Sequence, residues 1–206
     1  MKRIVAIVLS RLACEIARQK LGKQGGGKPG APLGVILERE GEGAVELAGA
    51  VLDVVDDEAR RLGVRPGQKV VEATALAAQL GVHRVTYDEL DTALGRVAEV
   101  ALAFGPTAAI RLAEGKPGEP RTAWGDAPFD TVWLDITGAA HLHGGEEALL
   151  DELAERVSAL GHRVRVAIAS GPRLAQALAR WSTGLRGAPG APSASRHPIA
   201  APSEGA

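Results

Sequence analysis

The stretch Phe129-Asp130-Thr131-Val132-Trp133-Leu134-Asp135-Ile136-Thr137-Gly138, continued by Ala140-His141-Leu142-His143-Gly144-Gly145-Glu146, organises the second half of this 206-residue chain. Residues 129–136 are largely apolar and β-branched and predict a strand. The Gly/Pro-rich residues 114–121 separate it from another strand at 108–112, the pattern of a hairpin. After the glycine pair, residues 146–160 place Leu149, Leu150, Leu153, Val157 and Leu160 on one helical face, and Gly161 stands where such a helix stops. A strand at 164–169 and a helix at 172–181 follow.

Toward the N-terminus, residues 4–9 are an unbroken apolar run, the pattern of a strand buried on both faces. Residues 11–21 predict a helix ending at Gly22, and the glycine-rich residues 22–30 a surface loop. No Gly-Lys-Ser/Thr and no new helix follow that loop, as a phosphate cradle would require. Strand-like runs recur at 33–37, around 45–52 and at 82–85, with short helices at 53–62 and 70–80. Thr86 followed by Glu89 is a capping box that opens a helix whose apolar positions Leu90, Leu94, Val97, Ala101 and Phe104 run down to Gly105-Pro106. The order is β-α-β-β-α-β with an insertion after the first helix: an α/β (α+β) fold of the ferredoxin-like, split βαβ kind.

Composition sets limits on this chain. With 24 Lys and Arg against 25 Asp and Glu, the net charge of −1 disfavours a strongly basic nucleic-acid binder while leaving room for a local basic groove. Hydrophobic residues reach 46 %, but Ala supplies 37 residues and aromatics only 6, so the core has to be built from Val, Leu, Ile and Ala. The single cysteine, Cys14, excludes an internal disulfide framework and fits a reducing cytoplasm. Met1-Lys2-Arg3 and the run after it imitate a signal peptide, but Arg11 ends the run after six residues, short of the roughly 7–15 a signal core needs. With no apolar stretch near the ~20 residues of a membrane span, the expectation is a soluble, cytoplasmic protein with no membrane partner.

The stretch at 129–146 resembles the palm of Y-family (DinB/UmuC-like) translesion DNA polymerases, and within that family the degenerate, ImuB-like branch used in mutagenic repair. Three other segments agree. Asp57-Glu58-Ala59-Arg60-Arg61-Leu62-Gly63-Val64-Arg65-Pro66-Gly67 is similar to the family's "Y-E-A-R-x-x-G-V-x-x-G-M" fingers segment. Arg163-Val164-Arg165-Val166-Ala167-Ile168-Ala169 resembles the last palm strand, with residues 174–181 like the helix after it. Residues 4–13 fall where the first palm strand belongs. The resemblance implies a palm over 1–181 with a small helical fingers insertion at about 22–105. Residues 182–206, rich in Gly, Pro, Ala and Ser, are expected to be a disordered tail. They stand where the family continues into a thumb, which gives the expectation of a chain truncated after the palm.

Two-metal nucleotidyl transfer needs carboxylates on adjacent strand ends, holding ions about 3.5–4 Å apart. The family supplies an Asp-x-Asp on the first strand and an Asp-Glu pair at the later hairpin. Here the first-strand positions are Val8, Leu9 and Ser10, and the pair is Asp130-Thr131, so Asp130 alone remains. Arg60 matches the triphosphate-contacting Arg, but Asp57 replaces its Tyr partner. The phosphate-binding Lys falls near Gln176 and the sugar gate near Ala13. These substitutions imply a non-catalytic accessory protein of error-prone translesion synthesis and SOS-linked DNA repair, with no cofactor and no metal. Its implied partners are an error-prone C-family DNA polymerase and a RecA-like accessory protein, with at most weak DNA contact. The alternatives are a weakly active, Mg²⁺-dependent DNA-directed nucleotidyltransferase or an inactive truncated remnant.

Other polar residues read mainly as structural. His141 and His143 have a spacing that could offer two imidazoles to a metal, but no third ligand is evident beyond the remote His162, Asp135 and Glu146, and the pair reads as part of a turn. Asp135 reads as a turn-capping acid. Five residues from Asp130 on one strand, it is expected on the opposite face. Arg60, Arg61 and Arg65 form a basic cluster, either a solvated face or a phosphate contact. Cys14 reads as a small buried residue, and Trp124 and Trp133 as packing aromatics.

Overall fold

The computed structural model describes residues 1–23, 30–38, 46–110 and 130–181. The hairpin turn at 114–121, Trp124, most of the glycine-rich loop and the tail at 182–206 lie outside the described residues. Among the described residues, no helix is long and apolar enough to cross a membrane.

β1 (Ile4–Val8) is central in a four-stranded antiparallel sheet of order β5-β6-β1-β7, built with β5 (Thr107–Ile110), β6 (Thr131–Asp135) and β7 (Arg165–Ala169). Its register sets Ile4 opposite Asp135 on one side and Ala169 on the other, and Val8 opposite Thr131 and Arg165. Alternate side chains of a strand face opposite ways, and both faces of β1 are apolar. Val5, Ile7 and Leu9 belong to the main core with Leu94 and Val97 of α4 (Tyr87–Ala101) and Leu149, Leu153 and Val157 of α5 (Glu146–Ala159). Ala6 and Val8 belong to a second cluster with Ala169 and with Ala175 and Ala179 of α6 (Pro172–Trp181). Trp133 packs against this cluster and donates to the Pro172 carbonyl at 3.2 Å, but the buried side chains there are small, so a helix can lie close to the sheet without leaving a void. The alanine-rich composition has a structural use there.

Between α1 (Leu12–Lys23) and α4 lies a segment, here called the insert, that holds α2 (Asp57–Arg61), α3 (Val70–Leu76) and a three-stranded sheet of order β3-β2-β4. β2 (Leu33–Glu38) runs antiparallel to β3 (Val54–Val55) and parallel to β4 (Gly81–Thr86). β2 shows why the insert is docked: Leu33 and Val35 join the main core, while Ile36 packs with Leu52, Val55, Val64, Val70 and Leu80 in the insert's own core.

Several boundaries differ from the sequence expectation. The run around 45–52 yields a 3₁₀ turn at Leu47–Gly49, and the strand forms afterwards at Val54–Val55. α2 starts at Asp57 instead of residue 53 because Asp56 caps it, accepting from the Ala59 amide at 2.8 Å, while Asp53 accepts from the Leu37 amide at 2.6 Å. α3 stops at Leu76, where Ala77 leaves the helical conformation and its carbonyl receives the Leu80 amide at 2.9 Å. The capping box forms as expected: the Glu89 amide donates to Thr86 Oγ1 at 3.2 Å and the Thr86 amide to Glu89 Oε2 at 2.9 Å.

α1 links the two halves through charges. Arg11, in the turn before it, pairs with Asp57, and Arg18 pairs with Asp56 while donating to the Ala31 carbonyl at 2.9 Å. Lys20 reaches Glu89 at 2.5 Å. On its other flank, Glu15 accepts from the Arg163 amide at 3.0 Å and lies 2.9 Å from His162 Nδ1.

Two predictions follow from this packing. A Cβ at Gly105 would overlap the carbonyl oxygen of Asp135, which belongs to β6. Gly105→Ala should therefore cost about 1–3 kcal/mol in urea denaturation, and an unchanged midpoint would contradict the close approach. Cys14 is buried in the main core, and burial, reinforced by the charge of Asp56, pushes its thiol up to about 12. Disulfide-exchange reagents at pH 8 should label it only after denaturation; labelling of the folded protein at the rate of a free thiol would refute this.

Candidate functional site

The strand ends singled out in the sequence meet in the structure. The Leu9 amide donates to the Asp130 carbonyl at 2.7 Å, and Val8 is the register partner of Thr131, so positions 8–10 and 130–131 form one corner of the sheet. Val8 is fully buried in the alanine cluster under α6, and Ser10 is exposed.

Asp130 and Thr131 are buried, at 2 % and 1 % exposure. Asp130 Oδ1 accepts from Thr131 Oγ1 at 2.7 Å and from Arg180 Nη2 at 2.6 Å. Thr131 Oγ1 in turn accepts from Gln176 Nε2 at 3.0 Å. Asp130 Oδ2 is buried without a hydrogen-bond partner among the described residues. Burial pushes the Asp130 carboxyl above the usual carboxylate range, and the Arg180 guanidinium and Thr131 hydroxyl pull it down without cancelling that effect. The cavity against this corner measures about 20 Å³ and is lined by Leu9, Ser10, Leu12, Ala13, Leu37, Val54, Leu90 and Asp130. That is room for about one water, whereas small-molecule pockets run to several hundred Å³.

These residues do not fit a pair of divalent metals. Hard cations of this kind take several oxygen ligands, and Asp130 is the only carboxylate lining the cavity. Among the described residues, no group of three or more His, Cys, Asp or Glu side chains converges.

The remaining sequence candidates are dispersed. Arg60 is exposed on α2, with Nε 3.4 Å from the Val55 carbonyl, and it does not line the cavity at Asp130. Its neighbours are engaged locally, Arg61 with Glu58 at 3.3 Å and Arg65 with the Arg60 carbonyl at 2.7 Å. Asp57, at the position of the family's Tyr, holds Arg11. Gln176, near the expected Lys, is used by Thr131, and Ala13 lies against the small cavity. Asp135 sits at the far end of β6, where its bonds to Thr137, including one from the amide at 2.9 Å, hold it below the usual carboxylate range. His143 packs 4.9 Å from the Phe104 ring and lies 3.3 Å from Glu152, while His141 is exposed. A larger concavity of about 530 Å³ lies between α1 and α4, bridged by the Lys20–Glu89 pair, and holds neither Asp130 nor Arg60.

Sequence reasoning missed Arg180. Its signal was a charged residue beside the buried Ala179 and four positions after Gln176, which places both on one face of α6.

No family model matches the chain. It is 39 % identical over 133 residues to Protein ImuB from two strains of Caulobacter vibrioides, a match covering 62 % of this chain and 24 % of the relative, so the chain spans about a quarter of the length of those relatives. Among solved structures it is similar to DinB from Sulfolobus solfataricus (TM-score 0.63, 16 % identity), covering 89 % of this chain and 47 % of that one. It is also similar to the insertion ternary complex of Dbh DNA polymerase (TM-score 0.60, 18 % identity), with 89 % and 47 % covered. At these identities the solved structures speak for the fold, and the ImuB relatives for the sequence. The chain is thus similar in sequence to ImuB over part of its length and has the palm fold seen in the Y-family polymerases.

Proposed function

We propose that this chain is a non-catalytic, ImuB-like accessory protein of error-prone translesion synthesis and DNA repair, acting in the cytoplasm. In this reading residues 1–181 are a polymerase-like palm carrying a fingers insertion at about 22–105. The observation that carries it is the state of Asp130, a lone carboxylate engaged by Arg180 beside a cavity of about 20 Å³ lined mostly by apolar side chains. That cavity offers neither a second carboxylate nor the volume for a nucleotide. What such a protein offers is a rigid surface. Its partners, by likeness to ImuB, are an error-prone C-family DNA polymerase and a RecA-like accessory protein, with DNA contact through exposed cations such as Arg60 secondary to them.

Primer extension with the purified chain in Mg²⁺ or Mn²⁺ should give no incorporation above background. Robust incorporation that Asp130→Ala abolishes would establish a nucleotidyltransferase instead. Co-purification with the two partner classes separates an accessory protein from an inactive remnant, since a remnant would retain neither.

Val8→Asp returns a carboxylate to the first strand, but within the alanine cluster under α6. An unpaired charge buried there should cost several kcal/mol, on the order of 3–5, and lower the urea midpoint sharply without gain of incorporation. A stable Val8→Asp protein with metal-dependent activity would contradict this reading of the corner.

A further inference from the structure

The contacts around Asp130 go beyond loss of a metal site. We propose that Arg180 supplies, from within the chain, the positive charge that a divalent metal supplies to a catalytic carboxylate, so that Asp130 and Arg180 form a metal-independent lock fastening α6 to the former catalytic corner. This inference rests on the non-catalytic reading of that corner and adds what has taken the place of the chemistry.

Three contacts build the lock. Arg165 of β7 donates through Nη1 to the Arg180 carbonyl at 2.6 Å, fixing the backbone from which the Arg180 side chain departs. That side chain reaches Asp130 Oδ1 at 2.6 Å. One turn earlier, Gln176 reaches Thr131 at 3.0 Å, so two adjacent turns of α6 hold two adjacent residues of the sheet corner. Ala175 and Ala179, fully buried, bring the helix close enough for both.

The charge logic is that of a buried ion pair. A carboxylate at 2 % exposure needs a counter-charge or a proton. A guanidinium is the cation best suited to supply that charge, being planar, always protonated and weakly hydrated. It sits in the last turn of α6, where a positive charge also opposes the helix dipole. A divalent cation on the same carboxylate would meet the like charge of Arg180. On the cavity side it would find Leu9, Leu12, Ala13, Leu37, Val54 and Leu90, with the Ser10 hydroxyl as the one side-chain oxygen besides Asp130's own and no second carboxylate.

The test uses the full chain and Mn²⁺ as the probe. Electron paramagnetic resonance of Mn²⁺ titrated into the unaltered protein should show no bound ion that Asp130→Asn removes; an ion bound in an Asp130-dependent way overturns the lock. Thermal unfolding then compares Arg180→Ala, Asp130→Asn and the double variant. Arg180→Ala should lose several degrees, most of them recovered in the double variant. Additive losses would reduce Arg180 to an ordinary packing residue and sink the proposal. If Arg180→Ala does not fold, the Mn²⁺ titration of the unaltered chain still decides. Primer extension keeps the two readings apart, because Mn²⁺ bound at Asp130 without incorporation removes the lock and leaves the accessory role intact.

Discussion

Residues 4–9 have almost no contact with water, and the rest of the molecule is arranged to keep them so. A strand that is apolar on both faces needs a layer on each. On one side α4 and α5 present large aliphatic side chains, and on the other α6 presents alanines. The same demand explains the fate of the polymerase-like corner. Once Val8 stands where a ligand carboxylate is expected, it becomes part of the apolar layer. The neighbouring Asp130 is held, through Oδ1, by the helix that covers that layer.

Charge is distributed as pairs across element boundaries, which is how a chain of net charge −1 can carry so many ionised groups. Arg11, Arg18 and Lys20 of the α1 region each hold an acid of the insert or of α4, and Arg3 holds Glu146 at the start of α5. Partly exposed pairs of this kind contribute little stability individually. The burial of Leu33, Val35 and Val85 docks the insert, and the pairs fix its orientation on α1. Asp57, held by Arg11, is thereby part of the docking.

Much of the fold was legible in the sequence because the relevant signals are local. The unbroken run at 4–9, the Thr86–Glu89 box and the glycine after α5 each mark an element by its own residues. β3 was not legible, since two residues pairing with β2 leave no periodicity to read. α6 shows a different limit: Leu174 and Leu178 point outward at 53 % and 44 % exposure while Ala175 and Ala179 are buried, the reverse of what hydrophobicity suggests. Close approach of the helix to a sheet face built of small side chains decides it. In the candidate site, the meeting of positions 8–10 with 130–131 followed from the family resemblance. Arg180 could not be paired with Asp130 from sequence, because nothing local links residues fifty positions apart.

The register of β1 also bears on how the chain is made. Both neighbours of this strand, β6 and β7, lie in the last part of the described chain. During synthesis β1 is therefore made before both of its partners and waits, with both edges unpaired, until β6 and β7 have left the ribosome. Pairings this distant in sequence form slowly, and an exposed apolar strand is prone to self-association in the interval. The topology that gives the folded protein its best-protected strand thus makes the nascent chain a natural client for chaperones.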